Sequence, residues 1–243
     1  MEAWTISDVG IVRRSSVNED ICKVKKYDEH SLLAAVCDGM GGANAGEIAS
    51  EMAINTFMSH FEEFFDLRES KLEQAVKNAV HDANSAVYDA SQKSEGLLGM
   101  GTTLVAALCS ENRAMIANVG DSRAYHITED GIFKITEDHS LVSELVKSGQ
   151  LSSMEARRHP SRNLITRALG VEPEVECDIY CRDVKKGEFI LLCSDGLHDQ
   201  VSEPEIYYEV YETGKPQSAC ENLVKTANQR GGSDNVTIVL IAF

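Results

Sequence analysis

The stretch that indicates the fold most clearly is LLAAVCDGMGG, residues 32–42, in which an apolar run ends in an aspartate and closely spaced glycines. Apolar runs of this length, bounded by turn residues, are typical of buried β-strands. The pattern recurs in MIANVGDS, residues 115–122, and in FILLCSDG, residues 189–196. A fourth aspartate, Asp234, lies just before the apolar run of residues 236–243. The sequence therefore predicts buried strands, three of which end at an aspartate.

Two longer segments, residues 46–67 and 70–94, have apolar residues at helical spacing, and the second begins with Ser70 and Glu73 in the pattern of a capping box. Strands follow one another without strict alternation with helices, which favours separate α and β layers over a doubly wound sheet. No linker or repeat divides the chain, so we expect one domain over residues 1–243 with an α+β fold. Further strands are predicted at residues 103–109, 124–127 and 133–135, and further helices at residues 141–147, 153–158, 203–212 and 217–229.

The composition is that of an acidic globular protein. The chain has 243 residues, 43% of them hydrophobic and 26% charged, and its formal net charge is −16. Nucleic acids and anionic lipids are bound mainly by clustered Lys and Arg, so this charge argues against both as partners. No run approaches the roughly 18 apolar residues that a membrane span needs. We expect no nucleic-acid partner, no membrane association and a monomeric state.

Cysteine usage indicates a reducing compartment. The seven cysteines are odd in number and scattered along the chain. That arrangement favours reduced thiols over a disulfide framework. The first ten residues, MEAWTISDVG, contain neither the basic nor the apolar region of a secretory signal. We therefore expect a cytoplasmic protein.

The aspartates beside the strands predict a metal site if the strand ends converge. Asp38, Asp121 and Asp195 follow apolar runs, and Asp234 precedes one. Carboxylates that lie close together in a low dielectric destabilise one another unless they are protonated or neutralised by a cation. Hard ions such as Mg²⁺ and Mn²⁺ prefer oxygen ligands. A single Asp-Gly pair is more simply an ordinary turn, but three apolar runs that all end in Asp favour the metal site.

Seven short motifs are spread over nearly the whole chain. They are NED at 18–20, DGMGG at 38–42, GTT at 101–103, NVGDSR at 118–123, EDHS at 137–140, SDGL at 194–197 and GGSDNVT at 231–237. In this order the set resembles the metal-dependent Ser/Thr protein phosphatases, the protein phosphatase 2C family, in its minimal bacterial form. Each motif alone is weak, whereas the set is specific. The resemblance implies a four-layer αββα sandwich, with two antiparallel sheets flanked by helix pairs.

The resemblance also implies a centre of two Mn²⁺ or Mg²⁺ ions. At the matching positions, Asp38 would bridge the two ions. Asp195 and Asp234 would bind one of them. The backbone carbonyl of Gly39 and, through water, Glu19 would bind the other.

A third and weaker metal site is implied at Asp121 together with Asp195, and Asn235 matches a position that supports the ligands without binding metal. Asp38, Asp195 and Asp234 would be the catalytic residues. Two ions in one site lower the pKa of bound water, so a hydroxide that bridges them would attack phosphorus directly. The resemblance implies phosphoserine and phosphothreonine proteins as substrates and a bacterial Ser/Thr kinase as the opposing enzyme.

The chain departs from the family at the arginine that binds the substrate phosphate. In the family this arginine usually lies four residues before the NED glutamate, where this chain has Ser15. Arg14 and Arg13 precede that position, and a local insertion or bulge would deliver one of them to the site. We favour Arg14 by a small margin over Arg13. Two solvated surface arginines are an equally good interpretation of either residue alone.

The general acid is not assigned. Eukaryotic relatives have a histidine inside the DGMGG-like motif and some bacterial relatives have one just after it, where this chain has Met40 and Ala43. His139 and His198 are the nearest candidates, and histidines at such positions are more often structural. A metal-bound water would serve instead.

Residues 141–170 match a mobile flap that lies beside the active site in relatives. The segment carries Arg157, Arg158, Arg162 and Arg167, a basic patch in an acidic protein. Such a patch would steer a phosphopeptide, and a solvated helix face is the competing interpretation.

Two other functions stay open. A phosphoprotein-binding module without turnover is favoured by the displaced arginine and opposed by the complete set of carboxylates. A phosphatase for small phosphomonoesters would keep the same metal chemistry. The chain lacks the Cys-x5-Arg loop of tyrosine phosphatases and the G-x4-GK[ST] loop of Walker NTPases.

Overall fold

The computed structural model describes residues 1–14, 16–41, 45–62, 71–156 and 158–243. Within them, eleven strands form two antiparallel sheets. The strands are β1 (Glu2–Asp8), β2 (Asp20–Lys26), β3 (Leu32–Met40), β4 (Gly101–Thr102), β5 (Leu104–Ser110), β6 (Arg113–Val119), β7 (Arg123–Thr128), β8 (Gly131–Lys134), β9 (Asp178–Asp183), β10 (Phe189–Cys193) and β11 (Val236–Ala242). One sheet has the order β1-β11-β10-β7-β8, and the other has the order β2-β3-β5-β6-β9 with β4 paired to β3.

The helices lie outside the two sheets or in the segments between strands. They are α1 (Ala45–Ser59), α2 (Leu72–Lys93), α3 (Leu141–Lys147), α4 (Ser153–Ala156), α5 (Asp195–His198), α6 (Glu203–Tyr207) and α7 (Pro216–Gln229). A π-helical turn, Tyr208–Glu212, continues α6. Among the described residues, no helix is both long and apolar enough to cross a membrane.

Three buried clusters hold four layers together. The middle cluster lies between the two sheets and includes Val36 and Val105 from one sheet and Leu192 from the other. A second cluster packs α1 and α2 against the sheet that contains β3 and β5. A third packs α6 and α7 against the sheet that contains β10 and β11. The expected α+β sandwich of two antiparallel sheets with flanking helices is confirmed.

The central strands are apolar on both faces because each face is covered. In β10, Leu191 and Cys193 face the helices, while Ile190 and Leu192 face the other sheet. An antiparallel strand with one face in water would alternate polar and apolar residues. Burial on both sides therefore explains the continuous apolar runs that the sequence shows.

Several elements differ from the sequence-based expectation. β1, β2 and β9 were not predicted, and all three lie at sheet edges, where fewer residues are buried and the apolar signal is weak. α1 ends at Ser59, earlier than predicted, and residues 63–67 of that prediction lie outside the described residues. Ser70 of the predicted capping box also lies outside them, and α2 begins at Leu72.

Candidate metal centre

Asp38 lies within β3, not after it. The strand continues to Met40, so the prediction that this strand ends at the aspartate is wrong. The extension has a physical cause, because both edges of this stretch are paired. Asp20 of β2 stands opposite Asp38, and Gly39 and Met40 pair with β4 on the other side.

The GTT motif holds the backbone of Asp38. The amide of Asp38 donates to Thr103 Oγ1 at 2.9 Å, and the Thr103 amide donates to the Asp38 carbonyl at 2.9 Å. Thr102 Oγ1 donates to the same carbonyl at 2.9 Å. Thr103 Oγ1 also lies 2.7 Å from Ser122 Oγ, beside Asp121. The motif thus fixes Asp38 and connects it to the loop that carries Asp121.

Close backbone contact brings Asp195 and Asp234 to the same end of the sandwich. Asp195 begins α5, and Gly196 follows it. A Cβ atom on Gly196 would lie 2.0 Å from the carbonyl oxygen of Asn235, which directly follows Asp234. The glycine after the aspartate is therefore needed for packing between the start of α5 and the segment before β11.

Glu19 is placed by a second close approach. The Gly39 amide donates to the Glu19 carbonyl at 3.1 Å, and a Cβ on Gly39 would lie 2.0 Å from the Gly46 carbonyl oxygen. Asn235 accepts a hydrogen bond from the Glu19 amide at 2.8 Å and donates to the Val9 carbonyl at 2.9 Å. Asn235 therefore holds the backbone around Glu19, which agrees with the supporting position that the resemblance implies.

The carboxylates of the site interact strongly. Burial, followed by the charges of Asp20 and Asp195, raises the pKa of Asp38 well above its usual range. Burial, followed by the charges of Asp121 and Asp234, raises the pKa of Asp195 in the same way. The strand ends that carry these residues therefore do converge.

Asp20 is a site residue that the sequence analysis did not assign. Its side chain is buried, and Oδ2 accepts a hydrogen bond from Ser194 Oγ at 2.6 Å. Burial raises the pKa of Asp20 to about 6 and that of Asp121 to about 7. The sequence signal for Asp20 was its place directly after Glu19 in the NED motif. The pairing of Asp20 with Asp38 depends on β2, a strand that was not predicted.

The donor set fits a hard divalent cation. The buried Oδ1 atoms of Asp20, Asp121 and Asp195 find no hydrogen-bond partner among the described residues. Buried carboxylate oxygens are ordinarily satisfied by a donor or a cation. In the same part of the chain, no three His, Cys, Asp or Glu side chains form a ready-made metal cluster. Backbone carbonyls and waters would therefore complete the coordination, as Mg²⁺ and Mn²⁺ allow.

The structure brings Arg13, and not Arg14, to these carboxylates. Arg13 Nη2 lies 2.8 Å from Glu19 Oε2, and Nη1 donates to Asp234 Oδ1. The Arg14 side chain is exposed. The preference for Arg14 over Arg13 therefore has no support in the geometry, and the phosphate-binding role stays a prediction.

The loop that carries Arg13 is fastened to the end of α7. The Val12 amide donates to the Gly232 carbonyl at 3.0 Å, and the Ile11 amide donates to Asn228 Oδ1 at 3.0 Å. Gly10 has a φ of 82°, and a Cβ there would lie 2.2 Å from the Asp234 carbonyl oxygen. These contacts hold the backbone that leads into Arg13 beside the segment that carries Asp234.

The two candidate histidines have structural contacts. His139 Nδ1 accepts a hydrogen bond from the Gly120 amide at 3.0 Å, and its Nε2 lies 3.2 Å from Asp178 Oδ2. His198 Nε2 lies 3.1 Å from the carbonyl oxygen of Asp121. Burial lowers the pKa of both imidazoles, so each favours the neutral form. Both side chains thus brace the loop around Asp121.

The predicted basic patch of the flap is partly neutralised. Arg167 Nη1 lies 2.9 Å from Asp178 Oδ1, and Arg162 Nε lies 3.7 Å from Asp199 Oδ2. Arg158 is exposed, and Arg157 lies outside the described residues. These ion pairs weaken the steering role and favour a structural role for Arg167.

Replacement of Gly196 by Ala will displace the segment that carries Asp234. The new methyl group would lie 2.0 Å from the Asn235 carbonyl oxygen, so backbone must shift. We expect a loss of about 1–3 kcal/mol in the free energy of unfolding, as for other overpacked sites, together with weaker Mn²⁺ binding. Urea unfolding and calorimetry measure the two effects. Gly96→Ala is the matched control, because its nearest atom lies 3.9 Å away; equal effects in both variants would contradict the packing argument.

The metal-free protein will lose stability as the pH rises. Asp195 keeps its proton to a higher pH in the folded chain than in the unfolded chain, where it ionises at about pH 4. Its contribution is therefore fully present below about pH 4 and is lost as the pH rises through the raised folded pKa, by up to about 1.4 kcal/mol per pH unit for one proton. In excess EDTA, Asp195→Asn should become progressively more stable than the parent from pH 5 to pH 8. A stability difference that does not change with pH would disprove this coupling.

Comparison with known proteins extends over the full chain. A family model described as Protein phosphatase 2C matches residues 10–229. The serine/threonine phosphatase stp of Listeria innocua is 36% identical over 242 residues, which cover 99% of this chain and 95% of that protein. Protein phosphatase PhpP of Streptococcus pneumoniae is 34% identical and covers 100% of this chain and 97% of its own length.

Solved structures agree with the sequence comparison. Serine/threonine phosphatase Stp1 from Staphylococcus aureus superposes with a TM-score of 0.92 at 37% identity, covering 100% of this chain and 94% of that one. The catalytic domain of the phosphatase PstP, determined in complex with two manganese ions, superposes with a TM-score of 0.84 at 36% identity, covering 98% and 96% of the two chains. Sequence motifs, fold and full-length similarity lead to one conclusion: this chain belongs to the protein phosphatase 2C family.

Proposed function

We propose that this protein is a metal-dependent serine/threonine protein phosphatase that hydrolyses phosphoserine and phosphothreonine monoesters. The observation that carries the proposal is the group of buried, mutually repelling carboxylates around Asp38 and Asp195, with the Arg13 guanidinium at its border. Relatives that match nearly the whole chain are named serine/threonine phosphatases. Carboxylates that bind cations, together with one guanidinium, are groups that suit metal-assisted hydrolysis of a phosphate ester.

In this proposal Asp38 would be shared by two divalent ions, and Asp195 and Asp234 would hold one of them. The Gly39 carbonyl and, through water, Glu19 would hold the other. When bound, the ions supply positive charge that polarises the phosphoryl group and lowers the pKa of the attacking water. Either Mn²⁺ or Mg²⁺ suits the all-oxygen donor set.

A third and weaker ion is assigned to Asp121 with Asp195. The support is local: Asp121 Oδ1 is buried and finds no partner among the described residues. After burial, the charge of Asp121 is the main cause of the raised pKa of Asp195. The two carboxylates therefore share a region in which a cation relieves repulsion between them.

Arg13 is proposed to bind the phosphate group of the substrate. An arginine guanidinium donates two parallel hydrogen bonds to phosphate oxygens. Its contacts with Glu19 and Asp234 hold the guanidinium beside one proposed ligand of each ion. An arginine held there meets a phosphoryl group that faces the carboxylates.

The thiols beside the site do not favour a covalent mechanism. Burial raises the pKa of Cys193 to about 12 and also raises the pKa of Cys37 beside Asp38. A cysteine nucleophile must be a thiolate, so neither side chain is a nucleophile near neutral pH. Direct attack by water on the phosphorus atom is the reaction that the remaining groups support.

The compartment, the oligomeric state and the opposing enzyme belong to the same proposal. We assign the protein to the cytoplasm, as a monomer that opposes a Ser/Thr kinase. All seven cysteines lie in the described residues and are free thiols, which suits a reducing compartment. The net charge of −16 disfavours self-association and binding to nucleic acid.

The direct test is phosphate release from a phosphothreonine peptide with Mn²⁺, with Mg²⁺ and with excess EDTA. We expect turnover with either metal, none in EDTA, and none for Asp195→Asn with metal present. Asp89→Asn, an exposed acid on α2, is the matched control and should retain full activity. Folded protein that binds Mn²⁺ and the phosphopeptide without releasing phosphate would instead be a binding module. A higher kcat/KM for a small aryl phosphate than for the peptide would favour the small-ester function.

Arg13→Ala should lower kcat/KM on the phosphopeptide by about 10–100-fold, the factor for the loss of charged hydrogen bonds of about 1.5–3 kcal/mol. Arg14→Ala should change it by less than about twofold, because that side chain is exposed. Mn²⁺ titration of both variants separates a substrate effect from a metal effect. A larger loss in Arg14→Ala than in Arg13→Ala would restore the preference drawn from the sequence.

A further inference from the structure

β1 has an open outer edge. It pairs with β11 on one side, and no strand of the described residues pairs with it on the other. None of its seven residues is fully buried, whereas the first six residues of β11 are. An edge of this kind exposes backbone amides and carbonyls that another chain is able to pair with.

The other edge strands are protected differently. Of the four strands at the ends of the two sheets, β2, β8 and β9 carry Lys or Arg, which discourage strand pairing. β1, with the sequence EAWTISD, carries no Lys, Arg or Pro. It also holds Trp4, the single tryptophan of the chain and a residue type that is enriched at binding hot spots.

A shallow, open cavity lies on each face of this strand. One, of about 360 Å³, lies between β1 and the other sheet and is lined by Glu2, Ala3, Trp4, Val24, Lys26 and Leu32. The second, of about 270 Å³, lies between β1 and α7 and is lined by residues that include Trp4, Ile6, Cys220 and Glu221. Alternate side chains of an added strand point to opposite faces, so two cavities flanking one edge suit that mode of binding.

Charge determines what the edge accepts. Glu2 and Asp8 lie at the two ends of β1 and Glu221 lines one cavity, so these acidic side chains outnumber Lys26, the basic side chain that lines the other. In an antiparallel pair centred on Thr5, a second copy of this chain would place Glu2 opposite Asp8 twice. Like charges directly opposite each other destabilise a strand pair. A segment with Lys or Arg at positions six residues apart would meet both carboxylates.

The strand leads to the metal centre. Asp8 stands opposite Val236, two residues after Asp234, and Gly10 packs on the Asp234 backbone. A strand added outside β1 would lie two strand spacings, ~10 Å, from β11. Antiparallel pairing is somewhat more stable per residue than parallel pairing. In that direction the phosphoresidue precedes the paired segment.

We propose that the outer edge of β1 binds an extended segment of the phosphoprotein substrate as an added antiparallel strand. The segment has basic residues at its ends and apolar residues between them, and it follows the phosphoresidue by a few positions. This inference rests on the proposed phosphatase function and names the substrate feature that the enzyme selects.

The test compares two phosphopeptides. The first has phosphothreonine, a Gly-Ser-Gly linker and the segment Lys-Thr-Val-Thr-Val-Val-Arg; the second replaces the Lys and the Arg with Glu. With Mn²⁺, we expect about a tenfold lower KM for the first peptide at equal kcat, since docking raises the local substrate concentration. The unphosphorylated basic segment should also change the fluorescence of Trp4. Equal KM values and an unchanged Trp4 signal would overturn the proposal.

Reversal of the charge at Glu2 is a second test of docking at the β1 edge. Glu2→Lys should abolish the preference, because each peptide then meets one like and one opposite charge at the two ends of β1. Glu174→Lys, an exposed acid outside the β1 edge, should keep the original preference. Both variants should hydrolyse a short phosphothreonine peptide as the parent does. If no peptide is hydrolysed, the phosphatase function fails, while the Trp4 titration still tests docking. A dimer of the parent protein in which the β1 amides are protected from hydrogen exchange would assign the edge to a second copy and would contradict the proposal.

Discussion

Repulsion among buried carboxylates is the constraint on which the rest of this structure depends. Burial and the charges of other aspartates raise the pKa of Asp38 and of Asp195, and burial raises the pKa of Asp20 to about 6. A fold that brings such groups together loses stability when they ionise. Divalent cations remove that cost because they replace repulsion by attraction. The same feature thus disfavours the metal-free fold and favours metal binding.

Rigid elements hold the carboxylates against this repulsion. β3 is clamped by β2 and β4 around Asp38, and Thr103 binds the Asp38 backbone. Gly39 and Gly196 permit backbone contacts that no side chain would tolerate. These contacts arise in or directly after strands that are covered on both faces, so the four-layer architecture is what positions the site. The site would lose its geometry if either sheet moved.

Much of the fold could be predicted because strands that are buried on both faces, such as β10 and β11, consist of unbroken apolar runs. The edge strands β1 and β2 could not, since half-exposed residues carry little periodic signal. The motifs gave the aspartates of the site, and the geometry brings them together. Counting back from the NED motif favoured Arg14. The place of Arg13 depends on tertiary hydrogen bonds of Ile11 and Val12, which the spacing of a motif does not encode.

Proton release on metal binding tests the central claim most directly. Calorimetric titration of Mn²⁺ near pH 6.5, in two buffers that differ in ionisation enthalpy, counts the protons displaced per protein molecule. We expect net proton release, because the raised pKa values of Asp38, Asp195 and Asp121 keep these carboxyls partly protonated before the ion binds. Asp195→Asn should release fewer protons. Mn²⁺ binding to the parent without any proton exchange would contradict the view that carboxylate repulsion governs this site.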